Sequence, residues 1–168
     1  MVGQLGHPGP VKPLRLSVAD AGEALTLQRA AYVTEARAYA DFDLPPLLET
    51  LEETRVALAS CLSWGFRENG RLVASVRLAV TGHVGVIGRL VVAPDRQGRG
   101  FGGELLRVAE AAAPPPVTVF RLFTGSKSVG PLRLYAKHGY RETHRTPELD
   151  YELVHLEKAR VHPSGPVR

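Results

Sequence analysis

The stretch Val86–Gly103, VIGRLVVAPDRQGRGFGG, decides how the chain is read. An apolar run, Leu90, Val91 and Val92, stops at Pro94 and Asp95. Gly98, Gly100, Gly102 and Gly103 follow, and Glu104 to Ala113 is patterned as a helix. The order is a buried strand, a glycine turn and a helix start. Glycine tolerates positive φ and lets a ligand come close to the backbone, and the first helical turn leaves amide N–H groups without internal acceptors. Together with the helix dipole, those donors favour an anion such as phosphate.

Working outward, a length of 168 residues and a hydrophobic fraction of 44% suit one domain with its own core. The net charge is +4, but the 21 basic and 17 acidic residues are interspersed, which argues against bulk nucleic-acid binding. Cys61 is the lone cysteine, within the apolar run CLSWGF, and reads as a small buried strand residue. No apolar stretch approaches the roughly 18 residues of a membrane span. The opening MVGQLGHPGPVKP has no signal-peptide centre. The expectation is a cytoplasmic protein with neither membrane nor nucleic acid as partner.

Glycine- and proline-rich residues 1–13 and the end, 158–168, read as flexible tails around a single domain at 14–157. Leu14 to Val18 alternates as a first strand, and Asp20 to Glu23 gives a D-x-x-E capping signal for a helix running to about Tyr39. The apolar stripe of that helix, Ala24, Leu27, Ala31 and Ala38, sets Glu35 beside the buried face. DFDLPP at 41–46 breaks it, and a second helix spans Leu47 to about Ala59. Cys61–Glu68, Asn69-Gly70 and Arg71–Val80 form a hairpin pattern with a type I′ turn. Strands at Val84–Val92 and Val117–Phe123, a short helix from Gly130 to Lys137, and closing strands at Tyr140–Thr143 and Leu149–His155 complete the pattern. The fold class is α/β: a mixed, mostly antiparallel sheet with helices on both faces.

The glycines admit two spellings, G-x-G-x-x-G through Gly98, Gly100 and Gly103, and Q-x-x-G-x-G through Gln97, Gly100 and Gly102. A dinucleotide site wants a carboxylate about 20 residues on, and Arg121 to Ser126 contains none. GSKS at 125–128 fails the phosphate-loop pattern as well. The chain here resembles the GNAT superfamily of acyl-CoA-dependent N-acetyltransferases, whose [QR]-x-x-G-x-[GA] signature matches Gln97, Gly100 and Gly102 after the strand ending LVVAP. Leu134, Tyr135, Gly139 and Tyr140 match the family's downstream L-Y-x-x-x-G-[FY] segment. The resemblance covers nearly the whole chain.

That resemblance implies a splayed sheet whose fourth and fifth strands part around the pantetheine arm of acetyl-CoA. Leu90, Val91 and Val92 would offer backbone groups to the arm. Gln97, Gly98, Arg99, Gly100, Phe101, Gly102 and Gly103 would hold the pyrophosphate, with Arg96 or Arg99 adding charge. A backbone N–H at Val91 or Val92 would serve the oxyanion, and Tyr135 would be the acid for the departing thiolate. Many members carry asparagine where this chain has Ser128, the remaining cofactor-binding candidate. The glutamate base often found on the fourth strand is replaced by Val86, Ile87, Gly88 and Arg89. Glu35 is a substitute base, near Tyr32, Tyr39, Asp41, Phe42 and Asp43, an acidic and aromatic rim suited to a cationic amine.

His83, His138, His144 and His155 fall on separate turns and strands without ligand spacing, so no metal is expected. The reading is therefore acetyl transfer from acetyl-CoA to a primary amine of a small molecule or peptide. A non-catalytic acyl-CoA-binding or regulatory module and a nucleotide-binding protein of another kind are the alternatives that the sequence leaves open. An edge strand near Leu149–His155 could pair two copies into a homodimer.

Overall fold

The computed structural model describes residues 11–161, so the ends of both expected tails, 1–10 and 162–168, lie outside the described residues. The chain begins with a short strand β1 (Leu14–Arg15), then helix α1 (Ala21–Tyr39). A break separates α2 (Pro45–Leu48) from α3 (Leu51–Ser60). The hairpin β2 (Leu62–Glu68) and β3 (Arg71–Thr81) leads to β4 (Val84–Val92). Helix α4 (Phe101–Ala112), β5 (Val119–Gly125), α5 (Val129–Lys137), β6 (Arg141–Pro147) and β7 (Glu152–Ala159) follow.

These strands form one seven-stranded sheet in the order β1-β2-β3-β4-β5-β7-β6. Only β4 and β5 run parallel among the described strands. Asn69 and Gly70, with φ of 50° and 80°, make the expected I′ turn between β2 and β3. Strand β3 is buried from Leu72 to Val76 without alternation because α1 and α4 cover it from opposite faces. Phe120, Leu72, Leu78, Leu105 and Leu106 are fully buried. Side chains of this size contribute about 1.5–3 kcal/mol each when removed from water.

Several boundaries differ from expectation for identifiable reasons. Ser17 caps a 3-10 turn at Val18–Asp20, with Asp20 closing the capping box, so the first strand is shorter than expected. Glu23, expected to cap α1, instead accepts the Leu72 N–H at 2.6 Å and the Arg67 guanidinium at 2.8 Å, fastening the helix start to the sheet. In α1 the buried position near the C-terminus is Ala36 rather than Ala38. The expected second helix is two, because the chain turns extended at Glu49 before Thr50 and Glu53 form a fresh capping box. Cys61 is half-buried and ends α3 rather than sitting inside a strand. Strand β7 runs to Ala159, past residue 157, and Arg160 is anchored to the carbonyls of Ala113, Pro114 and Val117. It also lies inside the sheet between β5 and β6, so the strand expected at an edge is internal and β6 is the edge.

Gly125 ends β5 beneath Tyr39, the last residue of α1. A Cβ there would overlap the Tyr39 hydroxyl and lie 2.5 Å from its Cζ, so the helix end reaches the sheet only because residue 125 has no side chain. Gly125→Ala is expected to lower stability by about 1–3 kcal/mol in denaturant unfolding. The loss should shrink in a Tyr39→Leu background, the signature of direct contact in a double-mutant cycle.

Candidate active site

The site begins with an irregularity in β4. Opposite β3, Val91 pairs with Ser75 and Gly88 with Arg77, so Arg89 and Leu90 together face a single residue, a β-bulge. Arg89 takes φ of 49°, the left-handed region that a non-glycine residue seldom adopts. A bulge bends and twists its strand, and the effect here falls on the neighbouring pair. Strands β4 and β5 are paired only from Val84–Val119 to Val86–Arg121, although β4 continues to Val92 and β5 to Gly125. Beyond Val86 the strands are no longer paired, as expected for a splayed sheet, and the backbone of Leu90, Val91 and Val92 faces a cleft without a partner on β5.

At the end of β4 the chain turns through a 3-10 segment at Pro94–Arg96 into the glycine loop. Gly98 and Gly100 have φ of 76° and 87°, which accounts for glycine at those positions. Helix α4 starts at Phe101, earlier than the expected Glu104, so Gly102 and Gly103 belong to its first turn. Their lack of side chains serves packing: a Cβ at 102 would stand 3.0 Å from Leu134, and one at 103 would stand 2.7 Å from His138 Nε2, both on or beside α5. The first bond into the helix runs from the Glu104 N–H to Gly100 O, which leaves the amides of Phe101, Gly102 and Gly103 as open donors. Gln97, Gly98, Arg99 and Gly100 are exposed. Arg99 makes no ion pair with a described residue, whereas Arg96 is engaged by Glu68 and Asp95.

Across the cleft lies one face of α1, carrying Gln28, Tyr32, Glu35 and Tyr39 at helical spacing. Tyr39 Oη is 2.7 Å from Ser128 Oγ and accepts the Lys127 N–H at 3.0 Å. Ser128 also donates to Glu35. The Ser128 hydroxyl, expected to face the cofactor, is thus bonded to α1. On the outer side Tyr151 packs against Tyr39 with ring centroids 4.6 Å apart, joining the β6–β7 loop to the end of α1. Tyr135 is buried on α5. Its phenol is pushed well above the ordinary range by burial, with the neighbouring Tyr32 and the charge of Glu35 adding to the effect. Tyr135 and Glu35, far apart in sequence, are thus brought near one another, and Glu35 is bonded to Ser128.

Sequence reasoning missed Glu49. Within an apparent helix it looks like a solvated residue, yet the break between α2 and α3 turns it inward, to 8% exposure. Its Oε1 accepts from Arg77 at 2.7 Å and Thr54 at 3.0 Å, and its Oε2 from Gln28 and Arg89, both at 3.0 Å. Burial alone would raise its pKa, but the hydrogen bonds from Arg77 and Gln28, the Arg77 charge and the Arg89 contact outweigh it and hold the group at about 2 against an ordinary 4.5. A carboxylate so saturated cannot serve as a base at neutral pH. It anchors the bulge: Glu49 grips Arg89 from below, and Arg77 stands opposite Gly88 on the adjacent strand. The missing signal was a buried-side partner for two arginines on neighbouring strands.

Because the folded-state pKa is depressed, the stabilisation is present above the unfolded value and is lost as pH falls through the folded one. Global stability is expected to drop by about 3 kcal/mol as pH is lowered from about 4.5 to about 2, measured by chemical unfolding at stepped pH. In Glu49→Gln that dependence should flatten, with the protein less stable at pH 7 by about 3–5 kcal/mol because two half-buried guanidinium groups lose their counter-charge.

Among the described residues no cluster of three or more His, Cys, Asp or Glu is arranged to hold a metal ion, and no helix is long and apolar enough to cross a membrane. The acetyltransferase (GNAT) family model matches residues 27–140, a span from α1 to Tyr140 that includes the cleft, the glycine loop and Tyr135. No curated protein sequence shows significant similarity to the chain. Solved structures do. The ribosomal-protein-S18-alanine N-acetyltransferase from Escherichia coli superposes with a TM-score of 0.73 at 15% identity, covering 95% of this chain and 99% of that one. A GNAT-family acetyltransferase from Streptococcus pneumoniae gives 0.70 at 16% identity, covering 89% and 99%. The PaiA N-acetyltransferase from Thermoplasma acidophilum, solved in complex with coenzyme A, gives 0.68 at 14% identity, covering 87% and 98%. At these identities the superpositions speak for the fold, and the match over residues 27–140 carries the assignment: the chain belongs to the acetyltransferase (GNAT) family and is an acyltransferase.

Proposed function

We propose that the protein transfers an acetyl group from acetyl-CoA to a primary amine of a small molecule or peptide, by direct attack of the amine in a ternary complex. The observation that carries this reading is the parting of β4 and β5 beyond Val86 and Arg121. The open amides of α4 lie past the end of β4, and Tyr135 is buried beside the α1 face that lines the cleft. The family likeness and the coenzyme A complex of the Thermoplasma acidophilum relative support acetyl-CoA as cosubstrate.

In this reading the amides of Phe101, Gly102 and Gly103 and the exposed Gln97, Gly98, Arg99 and Gly100 receive the pyrophosphate. Leu90, Val91 and Val92 receive the pantetheine arm. The amine nitrogen bonds to the thioester carbon while an N–H of Val91 or Val92 donates to the developing oxyanion. The carbon–sulfur bond breaks, Tyr135 gives its proton to the thiolate, and the ammonium proton leaves to Glu35 or to water. Proton return to the phenolate completes the cycle. Ser128, bonded to Glu35 and Tyr39, positions the base rather than the cofactor.

Burial raises the Tyr135 pKa above its ordinary 10.0, so the phenol keeps its proton throughout the working range. Activity is accordingly expected to show no alkaline loss from this group up to at least about pH 10. Tyr135→Phe should lower kcat by about 10²- to 10⁴-fold, with coenzyme A affinity retained in calorimetry. Turnover equal to the wild type would remove the role. A panel of amines with detection of free thiol tests the reaction itself. Acetyl-CoA binding without amine-dependent thiol release would mark a non-catalytic binding module instead.

A further inference from the structure

The bulge in β4 carries a cation. Arg89 is the bulged residue, and its Nε donates to Glu49 Oε2 at 3.0 Å. This uses the inner edge of the guanidinium. The two outer nitrogens make no hydrogen bond to any described residue, while the side chain is 29% exposed. Arg77, by comparison, is 13% exposed and spends its Nη2 on Glu49 and Gln28. Glu49 divides its one negative charge between Arg77 and Arg89, and Glu35, the other carboxylate near Tyr32, bonds Ser128 rather than either arginine, so the half-buried Arg89 charge is only partly compensated. Such a charge is costly without a counter-ion, and the planar fork of a guanidinium suits a carboxylate or phosphate.

The α1 face supplies the opposite pole. Tyr32, one turn before Glu35, feels the positive charge of Arg89 and the negative charge of Glu35, after the larger effect of its own burial. Tyr135 lies close enough to sense both Tyr32 and Glu35. Tyr32 thus stands near a positive charge on β4, Arg89, and a negative one a turn further along α1, Glu35. An acceptor seated between them would place an anion at Arg89 and its amine at Glu35. In the rim expected to suit a cationic amine, Asp41 accepts the Asp43 N–H at 2.8 Å and closes its own turn.

We infer that the acceptor bears an anionic group, carboxylate or phosphate, a few bonds from its amine, and that Arg89 is the residue that selects it. The inference rests on the transfer reaction proposed above and names its substrate class. The guanidinium is fixed in advance by Glu49 and by the bulge, so little ordering is lost on binding. Bidentate, charge-assisted contact then discriminates against an amine that lacks the anion.

Three matched pairs serve as probes: L-phenylalanine against phenethylamine, β-alanine against propylamine, and phosphoethanolamine against ethanolamine. Each is measured for kcat/KM by thiol release and for affinity by calorimetry with coenzyme A present. In at least one pair the anionic member should be favoured by about 10- to 100-fold, the range of a hydrogen-bonded ion pair, and the pairs separate carboxylate from phosphate. Arg89→Asn keeps a residue tolerant of left-handed φ and should bring the ratio to about 1, mainly through KM. Arg89→Lys, which keeps the charge but not the fork, should give an intermediate ratio and decides the matter if the Asn variant does not fold. Undiminished coenzyme A affinity certifies that a variant is intact. A ratio of 1 or less in every pair overturns the inference while leaving acetyl transfer standing, and so does a ratio that survives in both variants. If coenzyme A binds but no amine is acetylated, the transfer reaction fails and the calorimetric ratios alone decide the role of Arg89.

Discussion

A single irregularity in a hydrogen-bond ladder, the bulge at Arg89 and Leu90, governs what the sheet can do. Pairing of β4 with β5 ends at Val86 and Arg121, just before the bulge. Beyond that pairing the backbone of Leu90, Val91 and Val92 has no partner on β5, while Val91 is buried and Leu90 and Val92 pack against the core. The bulge is held in place by Glu49, which receives donors from Gln28, Thr54, Arg77 and Arg89 and so ties α1, α3 and two strands to one carboxylate. Left-handed backbone at a non-glycine residue costs of order 1–3 kcal/mol and persists where its surroundings over-determine it. Glu49 is that determinant.

Around the cleft the two layers of the domain are joined by polar contacts rather than by core packing alone. The end of α1 is pinned through Tyr39 to Ser128, Lys127 and Tyr151, and Gly125 makes room for it. On the far face α5 lies close on α4 because Gly102 and Gly103 present no side chains to Leu134 and His138. Two glycines of the loop thus shape the backbone, at 98 and 100, and two admit a neighbouring helix, at 102 and 103. All sit within one short run, so a glycine signature of this kind carries two separate constraints.

Much of the fold was legible because local signals agree with the tertiary outcome. Asn69-Gly70 sets the hairpin, the apolar run into Pro94 sets β4, and the prolines after Ala113 close α4. The glycine loop was legible in its spelling, and Tyr135 was singled out through the family resemblance. Glu35 could be singled out only as a carboxylate beside a buried face, and its bond to Ser128 joins residues too distant for any local pattern to connect. The order of β6 and β7 was misjudged since nothing local tells which of two closing strands returns to pair with β5.

The sequence by itself determined the elements, the glycine loop and the family resemblance, because those depend on periodicity, turn chemistry and short motifs. Only the tertiary structure decided the polarity of the cleft. Glu49 reads as one more helical glutamate until the chain breaks at that residue and turns it inward. Arg89 reads as the place where a base is missing until the bulge and Glu49 fix it as a cation. Charge inside a protein takes its meaning from which opposite charge is buried beside it, and that pairing is made between strands and helices distant in sequence.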